Sequence, residues 1–401
     1  MTATNAARRK LSNAERLDDL KAILSGEGPC LSVYMPLSRS SKEGIHPNSK
    51  QNELHWKECL RRVEAKADQY GSVGRELLDS VGNWDSVSLE SEEQPAANGY
   101  RSVAVFRSPT VFRVSLLDAE VASRSILAPH FYILPLLAEF GRNGMFYILA
   151  LSRKNVRLLR CTRHSAEDVP LVAGTASNFD EWMNQAKPDH LAVNNSVTGG
   201  TQGQRGPNAL APKGADQDSK DEYLLHFFKQ LDRGVSDMLK GQERPLVLCA
   251  TEHELPLYRS VNSYPYLISE EVRGAANSMK SGEMHARAIQ AIDASYTARI
   301  EEVLADWNHR AGGTASNRLK DIVAAAHEGR VMTLMVSDSA EHIGTFDEAT
   351  QTAKGRETGT TSDEDLLNDA ASQTLLHAGE VLVTPHSKMP NGTPLAALFR
   401  Y

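Results

Sequence analysis

Two stretches of the chain have residue types and spacing suited to chemistry on a polyanion. The first is GGTQGQRG at 199–206, inside the longer segment Ser196 to Ser219, where Gly, Gln, Pro and Ala break all periodicity. Glycines reach positive φ without steric cost, so such a tip lets the backbone come close to a ligand, and Arg205 supplies a cation for phosphate. A loop this long inside a compact region is either functional or a disordered tether. It is not a nucleotide cradle: GxGxxG is missing, no GK[ST] follows, and no predicted strand runs directly into the glycines. The second stretch is RKNVRLLRCTRH at 153–164, which places Arg153, Lys154, Arg157, Arg160 and Arg163 together with no acid among them. It reads either as a local phosphate contact or as a solvated strand face. A net charge of −7 excludes a protein that coats nucleic acid through bulk electrostatics, so any RNA contact has to be local.

Other chemistries find little support. The four cysteines, Cys30, Cys59, Cys161 and Cys249, are widely spaced, without CxxC or histidines at zinc-ligand intervals. They read as buried reduced thiols. The 13 histidines form no HExxH pair, so neither a metal nor a cofactor is expected. His130 and Cys249 lie beside apolar strings, which assigns them to packing. The apolar stretches FYILPLLAEF and GMFYILAL fall short of the roughly 20 residues that cross a bilayer. The polar N-terminus lacks the apolar core of a secretion signal, so no membrane partner and a cytoplasmic location are expected.

The elements around these stretches are α/β throughout. A helix over Asn13 to Leu24 is followed by the strand CLSVYMP, and a helix over Gln51 to Gln69 carries one apolar stripe through Trp56, Leu60, Val63 and Ala67. Strands YRSVAVFR and TVFRVSLL flank a Ser108-Pro109 turn. MFYILALS and VRLLRCT have hairpin spacing. After the Gly/Gln loop, Tyr223, Leu224, Phe227, Phe228, Leu231, Val235 and Leu239 mark a strong helix, and PLVLCAT reads as a strand with both faces covered. Pro256 and Pro265 favour extended chain over 255–268. A long helix over Gly282 to His309, another over Ser316 to His327 and the strand VMTLMVS suggest a layered domain with a parallel sheet. Thr345 to Thr361 reads as a mobile insertion, Thr361 and Glu364 as a capping box before LLNDAASQTLLHA, and VLVTP and ALFRY as the last strands. The expected organisation is three layered α/β domains: 1–140, 141–275 with the loop at 196–219, and 276–401 with the insertion at 345–361.

These regions, in this order, resemble the bacterial archaeo-eukaryotic release factor family, and with it the archaeal and eukaryotic release factors and Pelota. LSVYMP at 31–36 is similar to the strand that opens the family's first domain. PNSKQNELHWKECL stands where eukaryotic release factors bear their stop-codon-reading NIKS motif. PLVLCATEHE resembles the late strand of the central domain, AAHEGRVMTLMVSD a helix-strand step of the last domain, and LAALFRY that domain's final strand. The resemblance covers nearly the whole chain. It implies an RNase H-like central domain and a ribosomal-protein-like last domain.

The resemblance also implies a site of action, the ribosomal A site, and ribosomal RNA as partner. A translational GTPase is the further partner it allows. In the family a GGQ loop enters the peptidyl transferase centre, where a positioned backbone amide stabilises the oxyanion of ester hydrolysis. GGQ itself is absent here; Gln202 or Gln204, with Gly203 between them, are the candidate stand-ins. One NIKS position is also missing, which leaves Lys50 as a plain phosphate contact or, with Asn48 and Ser49, as part of a helix-entry turn. The rRNA-binding candidates are Lys50, Arg153, Lys154, Arg157, Arg160 and Arg205. Three functions follow: a factor that occupies the A site in rescue, stalling or hibernation; a peptidyl-tRNA hydrolase acting through 199–206; or a stress or signalling scaffold away from the ribosome.

Overall fold

The computed structural model describes residues 20, 23–24, 26, 28–38, 49–82, 101–117, 119–142, 144–185, 215–242, 244–347, 349–355 and 364–401, with the side chains of 49–50, 140–142, 185 and 215–220 excluded. Its contacts form two compact units, one of residues 1–144, 162–165 and 296–401, the other of 145–161 and 166–295.

In the first unit, β1 (Cys30–Pro36) is followed by helices α1 (Ser49–Gln69) and α2 (Gly71–Gly82), then by β2 (Ser102–Arg107), β3 (Phe112–Leu117), β4 (Arg124–Ala128) and α3 (Leu134–Arg142). The strands form an antiparallel sheet in the order β3-β2-β1-β4. Alternation along β1 sends Leu31, Val33 and Met35 to one face, where Trp56, Val63 and Ala67 of α1 cover them as the stripe predicts. Tyr34 and Phe106 face the other way, into a core shared with Phe131, Ile133 and residues of the C-terminal region such as Ile322, Leu366 and Leu367. α2 and β4 come in addition to the elements expected from sequence.

The second unit holds β5 (Phe146–Ala150), β6 (Arg157–Cys161), β7 (Ala166–Val169), α4 (Phe179–Gln185), α5 (Ala215–Met238), β8 (Leu246–Ala250), α6 (Glu254–Val261) and β9 (Leu267–Arg273). Its five-stranded sheet runs β7-β6-β5-β8-β9. The first three strands are antiparallel neighbours, and β8 and β9 continue the sheet in parallel. The sheet is thus a three-stranded antiparallel meander extended by two parallel strands. β8 is central and wholly buried, as its flat apolar run requires. The expectation of extended chain around Pro256 fails. Pro256 sits in the first turn of α6, where its missing N–H has no intrahelical partner to lose. Thr251 fixes that turn, its Oγ1 donating to Glu254 Oε2 at 2.7 Å.

α7 (Ser281–Arg310) begins in this unit, packing through Met284, Ala288 and Ile292, and its later residues Ile300, Val303 and Trp307 pack on the C-terminal sheet. There follow β10 (Ala315–Ser316), α8 (Leu319–His327), β11 (Val331–Ser337), β12 (Ile343–Asp347), β13 (Thr352–Gly355), β14 (Glu364–Asp365), α9 (Leu366–Leu376), β15 (Glu380–Thr384) and β16 (Leu395–Phe399). The C-terminal sheet, β10-β16-β11-β15, is mixed: β15 pairs with β11 in parallel, but β16 returns antiparallel to it. The parallel sheet read from the helix-strand step is thus present between β11 and β15 only. In the segment read as a mobile insertion, Gly344 to Asp347 pair with Thr352 to Gly355 as a hairpin; residues 356–363, with Thr361, lie outside the described residues. The N-cap of α9 is Asp365, whose Oδ1 accepts from Leu367 N at 3.0 Å.

Candidate functional site

The residues singled out by sequence lie mainly in the second unit. Two helices bracket the Gly/Gln segment, α4 ending at Gln185 and α5 beginning at Ala215. They are packed on each other: the rings of Phe179 and Trp182 lie 5.5 and 6.0 Å from that of Phe227, and Trp182 Nε1 donates to Gln230 Oε1 at 2.7 Å. α5 buries the stripe that sequence predicts, Leu224, Phe227, Phe228, Leu231, Val235 and Leu239. Buried Asp232 anchors it further, Oδ1 accepting from Tyr258 Oη at 3.2 Å and Oδ2 from Ser263 N at 3.0 Å and Oγ at 2.6 Å. α4 and the body of α5 from Phe227 to Asp232 are thus held in place. Gln202, Gly203, Gln204 and Arg205 themselves lie outside the described residues.

The basic run occupies the turn after β5 and the strand β6. Arg153 and Lys154 are exposed in the turn. That turn is tied down: Phe179 N donates to the Arg153 carbonyl at 2.7 Å and Val156 N to the Ser177 carbonyl at 2.7 Å. Arg157 and Arg160 are an odd number of positions apart on a strand, so they leave opposite faces of the sheet. Leu159 and Cys161, on the side of Arg157, join the core under α7, whereas Leu158 joins the core under α5. The run is therefore not one continuous cationic stripe.

Both strand arginines meet acids from β7. Arg157 forks onto Asp168, Nε to Oδ1 at 2.8 Å and an η nitrogen to Oδ2 at 2.9 Å, and also donates to Ser281 Oγ at 2.8 Å. Arg160 donates to Glu167 Oε2 at 2.8 Å, directly across the register from it. The hydrogen bond from Arg157 holds the Asp168 carboxyl below its usual range. β7 is silent in the sequence because AEDV is a short, charged edge strand without apolar alternation; the signal available is two acids placed one turn after a basic strand. Beside Arg157 and Asp168 a groove of about 600 Å³ is lined also by Asn155, Val172, Thr175 and Ser177. Burial pushes the Cys161 and Cys249 thiols up to about 12 and about 11, so both are packing groups and not nucleophiles at neutral pH. Lys50 stands in the first turn of α1, with its side chain outside the described residues.

Residues 145–330 match the family model described as Bacterial archaeo-eukaryotic release factor family 3. The match bears out the family resemblance. It spans β5 through α8, including the sheet and the bracketed Gly/Gln segment of the second unit. No curated protein matches the chain. Among solved structures, the archaeal translation termination factor aRF1 is similar at 14% identity over 98% of this chain and 99% of its own, with a TM-score of 0.23. Archaeal Pelota, solved bound to the ribosome with ABCE1, is 11% identical over 96% of this chain and 94% of its own, with a TM-score of 0.39. Dom34 of S. cerevisiae, a translation termination-like factor that interacts with Hbs1, is 11% identical over 78% of this chain and 82% of its own, with a TM-score of 0.35.

Proposed function

We propose that this release-factor-like protein acts at the ribosome by occupying the A site in rescue, stalling or hibernation, without catalysing peptide release. The observation that carries this reading is the family match over residues 145–330, combined with a Gly/Gln segment that keeps the family's place before α5 but not its GGQ. Occupancy needs shape and local charge; release needs a donor placed at the ester. Arg153 and Lys154, exposed at the fixed turn, are the phosphate contacts that fit best, with Arg205 and Lys50 as further candidates. Arg157 and Arg160 are already engaged by Asp168 and Glu167, so their contribution to RNA binding is smaller. A translational GTPase that delivers the protein is compatible with this role.

Sucrose gradients of cell lysate, blotted for the protein during growth and starvation, test the ribosomal reading. Absence from ribosomal fractions at both low and moderate salt would leave the scaffold reading in its place. Charge reversal at Arg153 and Lys154 is expected to lower ribosome association at low salt and to flatten its salt dependence, because two phosphate contacts are lost.

The second reading, peptidyl-tRNA hydrolysis, is favoured by the position of GGTQGQRG directly before α5. Gly203→Val separates the two, since a β-branched residue disfavours positive φ and displaces the tip whichever atom works there. The wild type is expected to bind ribosomes with little release. Robust release, lost by about 100-fold or more in Gly203→Val with binding preserved, would establish the enzyme instead.

A further inference from the structure

Within the first unit, three residues far apart in sequence converge at the start of α9. His130 lies just after β4, Glu364 in β14, and Asp369 in the first turn of α9. One ligand-capable atom of each lies within 4.8 Å of the other two. The closest pair, His130 Nδ1 and Glu364 Oε2, is 2.9 Å apart across 234 positions of sequence. Asp369 is only 1% exposed. Its Oδ2 lies 2.8 Å from Nε2 of His327, whose ring is held by stacking on Phe346 at a centroid distance of 4.0 Å. Its Oδ1 is buried with no hydrogen-bond partner. A bare buried carboxylate oxygen is costly, and a second carboxylate close by makes it more so. A cation answers both problems.

We infer that His130, Glu364 and Asp369 form a binding site for a divalent first-row cation of the Zn²⁺ type, with His327 as a positioning residue for Asp369. An imidazole nitrogen with two carboxylates suits a borderline cation, whereas Ca²⁺ takes six to eight oxygens and Mg²⁺ keeps most of its waters. Ligand bonds of about 2.0–2.2 Å require donors somewhat over 3 Å apart, which small side-chain rotations reach from the present spacing. Two carboxylates balance the charge of the ion, and three protein ligands leave a fourth position for water. His327 to Asp369 is the usual outer hydrogen bond that fixes a ligand's orientation.

The ligands also say what the ion does. His130 belongs to the N-terminal sheet region and the other two to the C-terminal region, next to the buried clasp in which Asn368 Oδ1 accepts from Ile133 N at 2.7 Å and Asn368 Nδ2 donates to the Phe131 carbonyl at 2.9 Å. An ion bound here adds its binding energy to the cohesion of that unit.

The test uses the untagged full chain, stripped with chelator and dialysed against Zn²⁺ or, in parallel, Mg²⁺. Saturable binding of a single Zn²⁺ equivalent, with a rise in melting temperature, is expected. His327→Phe should weaken it by about 10- to 100-fold, and Glu364→Gln, which keeps a hydrogen-bond acceptor for His130 but removes the charge, by at least as much. His130→Gln serves as the second ligand variant should Glu364→Gln fail to fold. No saturable Zn²⁺ binding, or binding that survives loss of both ligands, would overturn the site; equal affinity for Mg²⁺ would overturn its chemical class; binding without a rise in melting temperature would overturn the clasp.

Discussion

The two compact units handle their polar groups at different ranges along the chain. In the unit built on β5 to β9, Arg160 meets Glu167 seven positions away and Arg157 meets Asp168 eleven positions away. Buried Asp232 reaches Ser263 across 31 positions, and the longer reach of Arg157 to Ser281 Oγ, across 124, supplements its hairpin pair and does not replace it. In the other unit, Asn368 holds Ile133 across 235 positions and His130 meets Glu364 across 234. The difference teaches where a surface can be read from neighbouring strands and where it cannot. A charged strand whose partners follow immediately is neutralised in its own hairpin, while a carboxylate or amide that joins distant regions has a partner only once both have folded.

The comparison is open to experiment, most sharply at the long-range end. Asn368→Ala leaves the Ile133 amide and the Phe131 carbonyl buried without partners and should cost about 2–4 kcal/mol, read from urea titrations of the full chain. A loss under about 0.5 kcal/mol would mean that water or a shifted backbone satisfies both groups and that the long-range clasp is unimportant. At intermediate range, Asp232→Ala leaves Tyr258 Oη and the Ser263 N–H and Oγ without their acceptor on the C-terminal half of α5 and should cost about 1–3 kcal/mol. Hydrogen exchange should quicken at the Ser263 amide before it does in β8. Uniform exchange across the unit would contradict a local anchor.

The smallest effect belongs to the hairpin. A double-mutant cycle on Arg157 and Asp168 should give a coupling below about 1 kcal/mol, because the Asp168 side chain is 60% exposed and the pair is screened. Its pH dependence has a fixed sign. The folded-state carboxyl of Asp168 is held below its unfolded value by Arg157, so the stabilisation is present at neutral pH and fades as pH falls through the folded value. The coupling should therefore vanish in acid. A coupling that grew on acidification would rule out the charged pair as its source.

Much of the architecture was legible in sequence because it rests on periodicity. The stripe of Trp56, Val63 and Ala67, the helix through Phe227 and Val235 and the buried run of β8 each state which face will be covered, and each is covered as stated, while the hairpin spacing of β5 and β6 states the pairing they form. The order of short residue strings likewise announced the family resemblance that the match over 145–330 supports. Composition set the charge of −7, and residue order the absence of GGQ. Periodicity was silent on β7, whose charges lack an apolar face, and it misjudged Pro256, because a proline is compatible with helix at one end only and the end was not marked.

What only the tertiary structure decided is which polar groups share a partner. No spacing rule links His130 with Glu364 and Asp369, because ligands drawn from separate regions have no common motif; the sequence assigned His130 to packing, whereas folding places it 2.9 Å from a carboxylate. Nor could the run Arg153 to Arg163 show that its two strand arginines are met by acids on a neighbouring strand, Arg157 by Asp168 and Arg160 by Glu167. Side-chain type and alternation are properties of the chain, and they fix helices, strands and buried faces. Partnership is a property of distance, and distance between remote residues exists only after the sheets have been brought together.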